Sequence, residues 1–244
     1  MVYNSAAMNT ILSVPFTLDR ADIKAQCAIR PGTGAEETME NLLDEVAKIA
    51  RPKALYRVAY IDALAGDSVT VEGALFHSQV LRHNLENVHR IFPFVATCGV
   101  EVAAAQIDPD DFLQEYWLKI ISLSLVRSAM DALSQTLQEQ YLLGAVSVMN
   151  PGSAEADVWP IEEQGALFNL LGGVETVDER QRSRPGVGEE GDLAEHLTGF
   201  DDTPLLHHLQ PAFDQEIQSV GGVVAAEQHL AAPDAAALHV RPQP

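Results

Sequence analysis

Apolar positions recur at helical and strand spacing through the first two thirds of the chain. Between Ala35 and Ala50, the residues Met39, Leu42, Leu43, Val46 and Ile49 fall on one stripe, which predicts an amphipathic helix. Glu36 and Glu37 suit its first turn, and Pro52 stops it. Leu55–Ile61 is rich in aromatic and β-branched residues and predicts a strand. Val69 and Val71 flank Thr70 in a second, shorter one. His77–Val88 reads as a helix with Val80, Leu81, Leu85 and Val88 turned inward.

Ile91–Ala96 is a short apolar run closing on Thr97-Cys98-Gly99, as a buried strand before a tight turn would; Pro93 argues against a central place for it. Asp108-Pro109 has the form of an N-cap followed by a first-turn proline. The stripe Phe112, Tyr116, Ile120, Leu123, Val126, Met130, Leu133 and Leu137 then predicts a helix of about 30 residues, ~45 Å long. Leu143–Met149 is a further strand, ending at Asn150-Pro151-Gly152-Ser153, and Pro160–Leu171 is a helix with Glu162 and Glu163 in its first turn. This order predicts an α+β layered fold with a mostly antiparallel or mixed sheet and packed helices, one of them long.

The pattern fades after residue 174. Segment 175–244 carries 13 acidic and 4 basic residues, and its only aromatics are Phe200 and Phe213. Few large side chains remain there to offset ordering entropy. The expected organisation is therefore one domain over 9–174 and a weakly structured acidic tail over 175–244, with short helices near Thr203–Gln218 and Val224–Leu230.

The net charge of −20 argues against nucleic acid, whose phosphates need Lys and Arg, and against anionic membrane surfaces. No run of 18 apolar residues predicts a membrane span, and no secretory leader pattern opens the chain, so a cytoplasmic protein is expected. Two cysteines support neither a disulfide framework nor a four-cysteine metal site. His77, His83 and His89 are six apart and rotate away from a common helical face. Motifs of the P-loop, dinucleotide, hydrolase and zinc-protease classes are absent.

The candidate chemistry sits in the stretch from Asn150 to Gly172. Pro151-Gly152 offers backbone that a ligand can approach closely. Trp159, just before a helix, has two readings: it stacks on a flat ligand, or it packs on Leu167 and Phe168 as a hydrophobic staple. Glu163 likewise either lines a cleft or only complements the helix dipole. Cys98 reads as a reactive thiol at a cleft corner or as a small hydrophobe at a strand end.

Asn150–Gly172, with NPGS, DVWPIEEQ and LFNLLG in order, resembles the stand-alone relatives of the activation domain of cobalamin-dependent methionine synthase. Residues 50–61 (ARPKALYRVAYI), Gly73–Leu81 with Phe76 and Ser78, and Phe94–Gly99 agree with it, and the resemblance covers about residues 9–174. It implies a domain that binds S-adenosylmethionine beside a cobalamin or corrinoid carried by a partner, either a corrinoid protein or a corrinoid methyltransferase. It makes Asn150, Pro151, Gly152, Ser153, Trp159 and Glu163 cofactor-binding candidates, and Asp131, on the long helix, a candidate for the amine of S-adenosylmethionine. No catalytic residue and no metal ligand follow from it, since the cobalt does the chemistry.

Two departures stand out. Val148 and Ser153 occupy the places of the Arg and Tyr that flank Pro-Gly in the full-length synthase, which removes a guanidinium clamp for a carboxylate. The strand that relatives carry beyond the LLG segment also has no counterpart after Gly173, whether through divergence or a shifted reading frame. The sheet is then expected to expose an unpaired edge. Three functional readings follow: an accessory domain that holds S-adenosylmethionine, a non-catalytic docking protein, and a truncated non-functional relative.

Overall fold

The computed structural model describes residues 9–108, 111–152, 159–174 and 219–226. The fold is α+β, and among the described residues every strand pairing is antiparallel. Its backbone is one long run, β2 (Lys53–Tyr56) and β3 (Ala59–Ala65), lying against β6 (Arg90–Thr97). Both halves keep a single register: Lys53 faces Thr97, Tyr56 faces Phe94, Ala59 faces Ile91 and Tyr60 faces Arg90. The predicted strand Leu55–Ile61 is thus longer than expected and broken at Arg57-Val58.

Pro93 explains the break. The Arg57 N–H donates to the Pro93 carbonyl at 3.2 Å, but proline has no N–H to return. Pro93 therefore sits in the middle of the sheet, against expectation. Its missing donor falls where the neighbouring strand is already interrupted, so only one ladder bond is lost.

On the far edge of this run, β1 (Thr10–Ser13) pairs with β2, and β4 (Ser68–Val71) with β3. β5 (Ala74–His77) pairs with β4 through the Glu72-Gly73 turn. His77 is thus a strand residue rather than the first residue of a helix. The helix α3 covers only Gln79–Asn84, with the Ser78 hydroxyl accepting from the Leu81 N–H. Leu81 and Leu85 are buried as expected, while Val80 is exposed.

The other edge of β6 holds the main departure from the sequence reading. β8 (Ser219–Ala226), from the segment expected to be weakly structured, lies between β6 and β7 (Val146–Met149). Val224 is a buried strand residue, not the start of a helix, and β6 has a strand on each side where an open edge was expected. The expected helix at Thr203–Gln218 lies outside the described residues, as does the 174/175 boundary beyond Val174.

Two layers cover the sheet. On one face pack α1 (Arg20–Gln26), α2 (Gly34–Ile49) and α4 (Phe112–Tyr141), around Met39, Leu43, Val46, Phe92, Phe94, Ile121 and Val126. The α4 N-cap is Asp111, three residues after the predicted Asp108, and its carboxylate accepts from the Leu113 and Gln114 N–H groups. On the other face, α5 (Gln164–Leu171) joins α3 and the β3–β5 meander around Phe76, Leu81, Ile91, Met149, Leu167 and Val223. Alternation along β6 sends Phe92 and Phe94 to one core and Ile91 to the other. Among the described residues, no helix is long and apolar enough to cross a membrane.

Candidate functional site

The Pro-Gly corner follows β7 and leans on β8. The Asn150 side-chain amide donates to the Gly221 carbonyl at 3.0 Å, which ties the corner to the inserted strand. Pro151 is buried. Gly152 has a φ of 74°, and its N–H donates to the Trp159 carbonyl at 2.8 Å, closing the loop on itself. A Cβ at Gly152 would lie 2.9 Å from the Ile161 Cδ1. Glycine is therefore required here twice over, by its backbone conformation and by close approach. What approaches, however, is the protein's own Ile161.

Trp159 is 4% exposed. It sits in the core beneath α5 with Met149, Leu167 and Leu170, and meets Phe76 edge-to-face, the ring centroids 6.0 Å apart at 87°. Of its two readings, the packed one describes its position; the indole offers no face to a flat ligand. Its N–H donates to the Glu163 Oε2 at 2.9 Å.

Glu163 does more than either expectation gave it. Its Oε1 accepts the His77 backbone N–H at 2.7 Å and lies 3.0 Å from the His77 Nδ1. The carboxylate thus clasps the end of β5 to the turn (Ile161–Glu163) that leads into α5. The His77 ring itself remains largely exposed. His77 and Phe76 are the members of this cluster that sequence reasoning did not place at the corner, although both lie in the quoted matching segment Gly73–Leu81.

Arg57 secures the other end of α5, donating to the Leu170 carbonyl at 2.9 Å and pairing with Glu72. Burial pulls its guanidinium below the usual arginine range. Tight packing of α5 on β8 completes the frame, since a Cβ at Gly221 would lie 2.5 Å from the Phe168 ring.

The remaining candidates are elsewhere. Asp131 is exposed on α4, in the opposite helical layer. It borders a cleft of about 180 Å³ between α1 and α4, with Asp22, Gln26 and Arg127. The structure does not bring it to the Pro-Gly corner. Ser153 lies outside the described residues. Cys98 is fully buried in the main core, and burial pushes the thiol of Cys27 up to about 12, the opposite of an acidified, reactive cysteine. Among the described residues, no cluster of His, Cys, Asp and Glu has metal-binding geometry.

No protein-family model matches the chain, and no curated protein does. Among solved structures the chain is similar to the crystal structure of the MetH reactivation domain bound to AdoHcy, at 10% identity and a TM-score of 0.42, over 91% of this chain and 79% of that one. So distant a likeness assigns neither ligand nor partner to this chain.

Proposed function

We propose that this chain is an accessory protein of corrinoid-dependent methyl transfer that acts by docking to a corrinoid-carrying partner, without holding S-adenosylmethionine at the Pro-Gly corner. The accessory role rests on the ordered match of residues 50–61, 73–81, 94–99 and 150–172 to the activation-domain relatives. The docking mode rests on one observation: Glu163 is saturated by Trp159 and His77, and the indole is buried. S-adenosylmethionine needs an anchor for its carboxylate and a face for its adenine. Val148 and Ser153 supply no guanidinium, and Ile161 fills the space over Gly152. Among the described residues of the corner, none offers that anchor or that face, which favours the docking mode.

In this role the chain performs no bond-making step. It presents a rigid surface, and the partner's corrinoid carries out the methyl transfer. Isothermal calorimetry separates the readings. We expect a purified corrinoid protein from the same cell to bind, and S-adenosylmethionine to give no heat. Heat with S-adenosylmethionine would restore the cosubstrate-holding reading, and silence with the corrinoid protein would remove the accessory role.

A further inference from the structure

The end of α4 carries a residue that packing does not explain. Leu142 follows the helix in left-handed backbone, with φ 53° and ψ 44°, and is 91% exposed. Glycine or asparagine normally occupies this place, because a Cβ crowds the following carbonyl. Leucine here forgoes both backbone ease and burial.

Beside it, Tyr60 and Arg90 face each other across β3 and β6. The Glu72 N–H reaches the Tyr60 carbonyl from the β4 side, so Tyr60 and Arg90 form a non-hydrogen-bonded pair with side chains on one face. Tyr60 is 58% exposed. The Arg90 guanidinium lies over the rings of Phe92 and Tyr141, 5.3 and 5.2 Å from their centroids. Among the described residues no carboxylate lies within ion-pair distance of it, in a chain of net charge −20.

We propose that Tyr60, Arg90, Tyr141 and Leu142 form the docking epitope for a partner protein that presents a carboxylate beside an apolar recess. The carboxylate meets the fork of Arg90, and the recess receives Leu142. Charge complementarity selects this occupant: the guanidinium is oriented by two rings, yet it has no ionic partner among the described residues. Arginine and tyrosine are also the residue types that dominate binding hot spots, and a stacked guanidinium loses little freedom on binding. This inference rests on the docking reading and names its surface.

The test measures binding of the purified corrinoid protein to wild type, Leu142→Gly, Arg90→Lys and a control, Phe112→Ser, exposed at the other end of α4, with melting temperatures as the check on folding. We expect about tenfold or greater weakening for Leu142→Gly and Arg90→Lys, and under about twofold for the control. Wild-type affinity in both epitope variants overturns the epitope and leaves the docking reading intact. A second arm titrates acetyl-Leu-Asp-Leu-amide into labelled protein and follows amide shifts. Shifts centred on Arg90 and Tyr141, without corrinoid-protein binding, would keep the epitope and discard the corrinoid partner. Absence of both overturns the epitope, as would a dimer dissolved by Leu142→Gly, which would assign this face to a second copy of the chain.

Discussion

Gly222 is the position at which the inserted strand is most exposed to test. It lies on β8 opposite Phe94. A Cβ there would stand 2.4 Å from the Asn150 Nδ2, 2.6 Å from the Met149 carbonyl oxygen and 2.9 Å from the Phe94 Cε1. The carbonyl belongs to the backbone of β7 and cannot step aside without opening the β7–β8 pairing. In Gly222→Ala, overpacking of this kind costs about 1–3 kcal/mol. Displacing Asn150 also endangers its bond to the Gly221 carbonyl, which contributes about 1 kcal/mol. The unfolded chain works the other way: alanine narrows its ensemble and stabilises by about 0.4–1 kcal/mol. Packing wins, with a net loss of about 2 kcal/mol and a melting temperature lower by about 4–8 °C for a chain of this size.

Urea unfolding followed by the fluorescence of Trp117 and Trp159 reads the loss directly. Gly144→Ala is the matched control, because a Cβ at Gly144 meets nothing within 4 Å. It is expected to be neutral or slightly stabilising. Equal midpoints for the two variants would mean that Ser219–Ala226 is not seated between β6 and β7, and the sheet described above would be wrong at its centre.

Glu163→Ala removes the acceptor of the Trp159 indole and the His77 N–H, and should cost about 2–4 kcal/mol in urea unfolding; Glu163→Gln, which keeps one acceptor oxygen, should cost about half that. Equal losses would show that the carboxylate is not the clasp. Burial holds the Cys27 thiol neutral up to about 12, against 9.0 for a free thiol. The unfolded thiol therefore ionises first, so its contribution is complete below pH 9 and is lost as pH rises from 9 to about 12. Cys27→Ala should flatten that part of the stability profile, and an unchanged slope would refute the assignment. Leu142→Gly should raise stability by about 0.5–1 kcal/mol in the same assay, since it relieves a left-handed leucine that buries nothing; a loss would mean that Leu142 packs in solution.

The helix α2 was legible because it buries a single stripe, Met39, Leu42, Leu43 and Val46. The helix α4 was legible because its apolar positions persist over 30 residues, although they are buried on more than one side, as Ile120, Ile121 and Leu123 are, and Phe112 at its start is exposed. The strand Lys53–Ala65 was legible for its composition, but not its interruption, whose cause lies in another strand at Pro93. β8 was not legible at all. Its sequence, SVGGVVAA, has two glycines and two alanines, which locally disfavour a strand. The glycines serve packing instead: Phe168 occupies the space beside Gly221, and Asn150 and Met149 the space beside Gly222. Only the fold makes small residues necessary there, so no window of the segment itself could announce it.

The corner was legible as a shape, but the partners that brace it were not, for a related reason. A Pro-Gly turn followed by an indole at a helix entrance reads alike whether a ligand or the chain's own side chains fill it. The deciding residues are distant in sequence, since Glu163 reaches His77 across 86 positions, and Phe76 supplies the ring against which Trp159 rests. Once those partners are in place, the Trp159 indole N–H and the His77 backbone N–H both donate to the Glu163 carboxylate. A corner so joined holds α5 on the sheet. The proposed docking surface draws on a different kind of group: Arg90, oriented by two rings and without an ionic partner among the described residues.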